Sequence, residues 1–491
     1  MAYQIYGDKR IPLKLLSFSG QCLLTISLVL GFGGKAIAQS TFGPPPPPPP
    51  HIPTTDIPTN TNIPTNTVDI VPVEANCERL VGVFCNPIEL PPKETSDIPK
   101  IDTNITNALC AYSKTCSSAP SVSFNSIQED VQTASKITDS QSWVIYPIIF
   151  DDHIELIVVP PSGKEIRKVS PNVKRDELTE TVQSFLDSIR DPSSNDYLES
   201  SQKLYNWIIR PLDSDLKGAK VKTLIFVMDG SLRAIPIGAL HDGNQFLVQK
   251  YATATVPSMG LANLKIPDRR NSKILVMGLT KATKDFVALP NVEVETKLIS
   301  SKILTENADI FLDEKFTIEN LKKQQNTKNY GIVHIASHAQ FLSDVSDGAF
   351  IQFWNEKLKL SDLRTIRMGE EPIEMLTLSA CQTAVGKNLG LSGTALIYRA
   401  KSVLASLWTV SDAGTTPLML DFYNYYPKAK SKAIAIQQAQ LDLLEGRVKI
   451  EGGKIKGIGN LPAISLSQVS GDINLKHPYF WASFILVGNW L

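Results

Sequence analysis

Beyond residue 210, short runs of aliphatic and β-branched residues recur at intervals, at Thr223–Met228, Lys273–Gly278, Ile332–Ala336, Met375–Ser379, Ser402–Trp408 and Phe480–Val487. Each is apolar through successive positions instead of alternating, the pattern of a strand covered on both faces. Between several of them, segments 291–303, 316–325 and 415–445 carry apolar residues at helical spacing. Strands alternating with helices predict an α/β fold, a mostly parallel sheet with helices on both faces. Upstream, Trp143–Ile149 and Ile154–Val159 flank Phe150-Asp-Asp-His153 and predict a hairpin, and amphipathic segments follow at 174–189 and 197–210. Sheets of this kind hold their ligands beyond the carboxyl ends of the strands, which is where chemistry is to be sought.

The first 120 residues follow other rules. Residues 1–38 have a basic start (Lys9, Arg10, Lys14), an apolar stretch from Cys22 to Phe32 and Ala36-Ile-Ala38 before Gln39, the pattern of a cleaved secretory signal peptide. The competing reading is an uncleaved anchor, because a looser apolar count from Leu15 to Gly34 reaches spanning length. Residues 39–76, with the unbroken run Pro44–Pro50 and Ile-Pro-Thr copies at 52, 57 and 63, read as a disordered, semi-rigid tether, since polyproline holds an extended helix with no core to bury. Residues 77–120 form a loop-rich stretch with Cys77, Cys85, Cys110 and Cys116, which in an exported chain suggests two disulfides with three pairings open.

Composition narrows the function. With 49 Lys+Arg against 49 Asp+Glu and no basic stripe, the chain is not expected to bind nucleic acid. Its 491 residues, 43% of them apolar, suffice for two or three units with a large core.

Two predicted strand ends carry reactive side chains. The run from Ile332 stops at His338, and the run from Met375 stops at Cys381. If the two strands are parallel neighbours, about 4.8 Å apart, their ends share one edge and an imidazole comes within reach of a thiol. Imidazole is the usual means of activating a thiol, which at a pKa near 8.5 is only slightly ionised at neutral pH. The plainer reading makes Cys381 a small apolar packing residue. The spacing His334-x-x-x-His338 also fits a zinc-binding helix, but no Glu follows His334 and the β-rich run indicates a strand, so no metal or cofactor is expected and His334 is read as a packed strand histidine.

The segments Val333-His-Ile-Ala-Ser-His-Ala-Gln-Phe341, Leu376-Thr-Leu-Ser-Ala-Cys-Gln-Thr-Ala384, Ser402-Val-Leu-Ala-Ser-Leu-Trp-Thr-Val-Ser-Asp412 and His477-Pro-Tyr-Phe-Trp-Ala-Ser-Phe-Ile-Leu-Val-Gly488 resemble the CHAT domain, a caspase-like cysteine peptidase family. Asp229–Asp242 and Val256-Pro-Ser258 resemble its opening. The resemblance runs over about residues 120–491, so 121–491 is taken as the domain, with 121–220 as its N-terminal subdomain. It implies a caspase-haemoglobinase fold with a His338/Cys381 dyad, an acyl-enzyme, and an oxyanion hole from the backbone N–H groups of Ala339 and Cys381. Three positions depart from the family pattern. Ala339 replaces the usual Gly, which matters if a positive φ is required there, while Gln382 and Thr409 replace the usual Glu and Pro. The helical repeats that precede this domain in many relatives have no counterpart here.

The resemblance implies a cysteine endopeptidase acting on protein or peptide substrates, and the signal-like pattern of residues 1–38 makes it an exported one, periplasmic or extracellular in a bacterium, with no membrane span once the signal is cleaved. A caspase-like binding or regulatory module without turnover is the alternative, and non-peptide acyl transfer at the same thiol a third. Asp412 is a candidate for the substrate pocket or for capping the helix that follows. Trp408 and Trp481 are expected in the core, Gly386–Gly393 at a cleft rim, and Phe350–Leu360 in a hairpin shaping the substrate groove. Cys381 is the cysteine left over once Cys22 goes with the signal and the other four pair, and an odd thiol in an exported chain calls for a role.

Overall fold

The computed structural model describes residues 3–6, 9–12, 98–113, 122–228, 230–262, 264, 273–303, 308–340, 349–359, 362, 372–380 and 400–491, with side chains at 98–107 and, from 122 onward, at all of these but 302 and 303. All belong to one unit, made of Met1–Leu23 and Arg79–Leu491. Cys381, the other five cysteines' side chains, the proline run and Gly386–Gly393 lie outside the described residues.

A hairpin of β1 (Tyr3–Tyr6) and β2 (Lys9–Pro12) comes first, followed by helix α1 (Ile98–Ser113), which occupies part of the stretch read as loop-rich. Asp102 ties α1 down: fully buried, it accepts hydrogen bonds from Met259 N (2.6 Å), Gly260 N (2.8 Å) and the Tyr146 hydroxyl (3.1 Å). Helix α2 (Phe124–Thr138) then leads into β3 (Gln141–Ile149), β4 (His153–Val159) and β5 (Ile166–Pro171), and α3 (Arg175–Ile189), α4 (Tyr197–Ile208) and α5 (Asp213–Gly218) precede β6 (Val221–Phe226) and β7 (Ala252–Thr255). Next come β8 (Lys273–Gly278), α6 (Pro290–Leu298), β9 (Ala308–Leu312), α7 (Ile318–Thr327), β10 (Tyr330–Ala336), the short strands β11 (Ala339–Gln340), β12 (Phe350–Gln352) and β13 (Lys357–Lys359), and β14 (Met375–Ser379) and β15 (Ser402–Ser406). The chain ends with α8 (Asp412–Tyr425), α9 (Lys432–Leu444), a small sheet of β16 (Lys449–Glu451), β17 (Lys454–Lys456) and β18 (Ile464–Ser465), α10 (Pro478–Trp481) and β19 (Phe484–Gly488).

Among the described residues, eleven strands form one sheet in the order β5-β4-β3-β6-β7-β19-β15-β14-β10-β8-β9. It is mostly parallel. The exceptions are the β3–β4–β5 meander at one side and β19, which runs antiparallel to β15. Val333, His334, Ile335 and Ala336 of β10 are all buried, so helices cover both faces as the continuous apolar runs predict. The join between β7 and β19 is a single rung, Val487 with Thr255.

Two expected elements differ in detail. The run at 480–487 is not strand throughout, because His477 caps a helical turn through its ring nitrogen to Tyr479 N (3.1 Å) and Pro478 occupies the first helical position. The helical stretch 415–445 is two helices. Pro427 interrupts it, and Ser431 starts the second by accepting from Ile434 N at 3.1 Å. Trp408 and Trp481 are in the core, and Phe350–Gln352 pairs with Lys357–Lys359 as the expected hairpin, extended by β11 into three strands. No helix among the described residues is long and apolar enough to cross a membrane.

Candidate active site

Strands β10 and β14 are parallel neighbours in register from Ile332↔Met375 to Ala336↔Ser379. One further bond, Ser337 N to Ser379 O at 3.2 Å, continues the ladder beyond the last pair. His338 follows Ala336 by two residues, just as Cys381 follows Ser379.

His338 is buried, and its surroundings fix its ring. Nε2 lies 2.9 Å from the Val287 carbonyl, which can only accept, so Nε2 carries the proton and Nδ1 keeps the lone pair. Phe286 stacks on the imidazole with ring centroids 4.8 Å apart. Burial pushes the His338 pKa below its usual value, and the Val287 carbonyl opposes this only in part. The ring is therefore a neutral base near pH 7.

Both contacts come from one loop, 279–289, between β8 and α6. Leu289 N closes its base on Thr280 O (3.1 Å) and Thr283 N turns its tip on Phe286 O (2.9 Å). Gly278, where the loop starts, has no room for a side chain: a Cβ there would lie 2.6 Å from Ala336 O and 2.9 Å from a Val292 methyl.

Ala339 opens β11 opposite Ile351, and it is not among the residues with positive φ, so alanine is unstrained in this backbone. The His338 carbonyl accepts from Gln352 N at 2.9 Å, which marks 338/352 as a hydrogen-bonded position. By the alternation of an antiparallel pair, the Ala339 N–H points away from β12. At the hairpin's rim, Lys357 Nζ sits 4.5 Å from the Phe350 ring centroid.

His334, within β10, lies four residues before His338. His334 is fully buried, with Nδ1 3.2 Å from the Tyr423 hydroxyl, which also lies 2.8 Å from Thr377 Oγ1. Its Nε2 is 3.0 Å from the buried carboxylate of Glu295, at ion-pair distance but misaligned for a hydrogen bond. The packed strand histidine is thus the centre of a polar cluster joining β10, β14, α6 and α8.

Asp412 does not cap α8. Ser411 does, its Oγ accepting from Gly414 N at 3.0 Å, because Asp412 is already inside the first turn. The Asp412 carboxylate instead accepts from Asn291 N and Asn291 Nδ2, both at 2.9 Å. Burial raises its pKa to about 6, with the Asn291 donors working against this and the Glu295 charge adding to it. Asn291 in turn bonds Ser467, accepting from its N at 2.7 Å. Sequence reading reaches His338, Ala339 and Asp412 but misses Phe286, Val287, Asn291 and Glu295. A main-chain carbonyl has no side-chain signature, and the only available signal was that a loop leaving β8 must emerge at the same sheet edge.

No curated protein matches the chain. Two structures of the Saccharomyces cerevisiae separase–securin complex, at 3.0 and 2.6 Å resolution, are similar to it at 11% and 13% identity, with TM-scores of 0.47 and 0.41. They cover 79% and 74% of this chain, which spans about a third of theirs (34% and 31%). The CHAT domain family matches residues 198–489, from α4 through both strands of the candidate site to the last strand of the sheet. Matched over more than half its length, the chain belongs to the CHAT domain family.

Proposed function

We propose that the protein is an exported cysteine endopeptidase whose catalytic dyad is His338 and Cys381. One observation carries the reading: β10 and β14 pair in parallel register, and the histidine and the cysteine each follow the last pair by the same two residues. The orientation of His338 supports it, since the Val287 carbonyl holds the Nε2 proton and leaves Nδ1 as the base.

In this mechanism Nδ1 takes the proton from the Cys381 thiol, and the thiolate attacks the carbonyl carbon of the scissile peptide. The oxyanion is held by the N–H groups of Ala339 and Cys381. As the C–N bond breaks, the imidazolium gives its proton to the leaving amine. Water, deprotonated by His338, then attacks the thioester carbon; the C–S bond breaks, the acid leaves, and the imidazolium returns its proton to the Cys381 sulfur. The lowered pKa of His338 suits it to the base step. Export rests on the signal-like pattern of residues 1–38.

The test is cleavage-site mapping on a proteome-derived peptide library with wild type, Cys381→Ala and His338→Ala side by side. Cleavage by wild type alone is expected. Retention of peptides without any cutting would leave the binding-module reading, and equal cleavage by Cys381→Ala would remove the dyad.

A further inference from the structure

Loop 279–289 is anchored at each end by an aspartate from a different element. At its start, Asp313, just past β9, accepts from Thr280 N (2.8 Å), Thr280 Oγ1 (2.7 Å) and Lys281 N (3.0 Å). At its end, Asp412, from the first turn of α8, accepts from the main chain and side chain of Asn291. Asp313 itself sits in the left-handed region, with φ +50°. Asn291 is buried, four residues past Val287, and is further fixed by Ser467 in the segment after β18. Between the two anchors lie two parts of the loop that meet His338, the Phe286 ring and the Val287 carbonyl.

We propose that Asp412, through Asn291, and Asp313 are positioning residues for His338, holding the loop so that the Val287 carbonyl fixes the imidazole with its proton on Nε2. Asp412 thereby acts on the base and not on the substrate, in place of its expected part in a substrate pocket. The inference deepens the peptidase reading and rests on it for its kinetic consequence, but the state of the His338 ring can be read without catalysis. A carboxylate accepting two N–H groups in a buried setting suits this task, because the charge-assisted bonds are stronger than neutral ones and losing them leaves buried donors unmet.

The experiment uses the full chain labelled with 15N-histidine, in wild type, Asp412→Ala, Asp412→Asn and Asn291→Ala, with His338→Ala to assign its resonance. Long-range proton–nitrogen spectra report which ring nitrogen carries the proton, and iodoacetamide alkylation of Cys381 across pH gives the thiol's reactivity. Wild type should give the Nε2–H form. Asp412→Ala and Asn291→Ala should mix the tautomers, slow alkylation by about 10-fold to 100-fold and reshape its pH profile, as a small misplacement of a catalytic group does. Asp412→Asn, which retains an acceptor, should restore most of the wild-type signature. If a folded Asp412→Ala or Asn291→Ala protein keeps the wild-type His338 tautomer, the inference is wrong. It is equally wrong if Asp412→Ala alters only which residue precedes the cleaved bond, with kcat unchanged and KM raised, since that is the mark of a substrate pocket. Should Asp412→Ala fail to fold, Asn291→Ala and Asp412→Asn decide the matter by the same readouts. A tautomer shift with an unreactive Cys381 in wild type would uphold the positioning and overturn the peptidase reading.

Discussion

Asp412 gives a stability effect whose sign and size follow from its surroundings. Its carboxyl is raised from 3.8 to about 6, chiefly by burial, so the fold favours the protonated acid relative to the unfolded chain. Well below pH 3.8 both states hold the proton and the group contributes no penalty. As pH rises from 4 through 6, the unfolded chain loses its proton first, and stability falls until the folded carboxyl ionises too. At 1.36 kcal/mol per pH unit, the interval from 3.8 to about 6 amounts to about 3 kcal/mol. Asp412→Asn cannot titrate. The stability difference between variant and wild type should therefore move by about 2.5 kcal/mol in the variant's favour between pH 4 and pH 7.5, whatever its value at pH 4. Urea unfolding followed by tryptophan fluorescence at several pH values measures this, with equal m-values in both proteins as the check on two-state behaviour. A flat difference, or one moving against the variant as pH rises, would show that the carboxyl is not held in the buried setting described.

Other expectations follow from single contacts. Gly278→Ala forces a methyl against Ala336 O and Val292 and should cost about 1–3 kcal/mol, read as a lower urea midpoint; an unchanged midpoint would mean that the β8 end does not press on β10. Ser411→Ala removes the cap of α8 and should cost about 1 kcal/mol, measurable as a drop in thermal midpoint, with Ser411→Asp largely restoring it. Asp102→Ala leaves two buried donors and one half-buried donor without their acceptor and should release α1, so that limited proteolysis cuts within 98–113 while the sheet stays intact; resistance equal to wild type would refute the anchoring role. Asp421, buried beside Asp442, has its pKa raised well above the carboxylate range by burial and by that neighbour's charge, so Asp421→Asn should gain stability relative to wild type as pH rises from 4 towards 8, by the same unfolding assay.

The sheet was legible wherever strands are buried on both sides. Lys273–Gly278 and Met375–Ser379 read as strands because their apolar residues are not confined to one face, and the structure gives them those bounds. Ala252–Thr255 and Ala308–Leu312 escaped notice for the opposite reason: one is four small or β-branched residues, and the other is an edge strand, half exposed, with Ile310 facing solvent. At the site, a strand ending in His338 is a local pattern that sequence carries well. The bond between Asn291 and Asp412 joins positions 121 residues apart, and neither residue type nor spacing marks them as partners. Val287 acts through its main chain, which any residue could supply.

The β3–β4–β5 meander precedes the family match, yet it joins the same sheet by pairing β3 with β6. Val221, Leu224, Ile225 and Phe226 of β6 are buried, so without β3 this strand would present an apolar, unpaired border to solvent, the kind of surface on which chains stack into aggregates. During synthesis the meander emerges first. By the time β6 leaves the ribosome its protector is already available, and the borders left open are β5, where exposed Val169 stands between exposed Arg167 and Pro171, and half-exposed β9 with Ile310. The order of segments along the chain is thus also a schedule that keeps this apolar strand covered while the rest of the sheet is made.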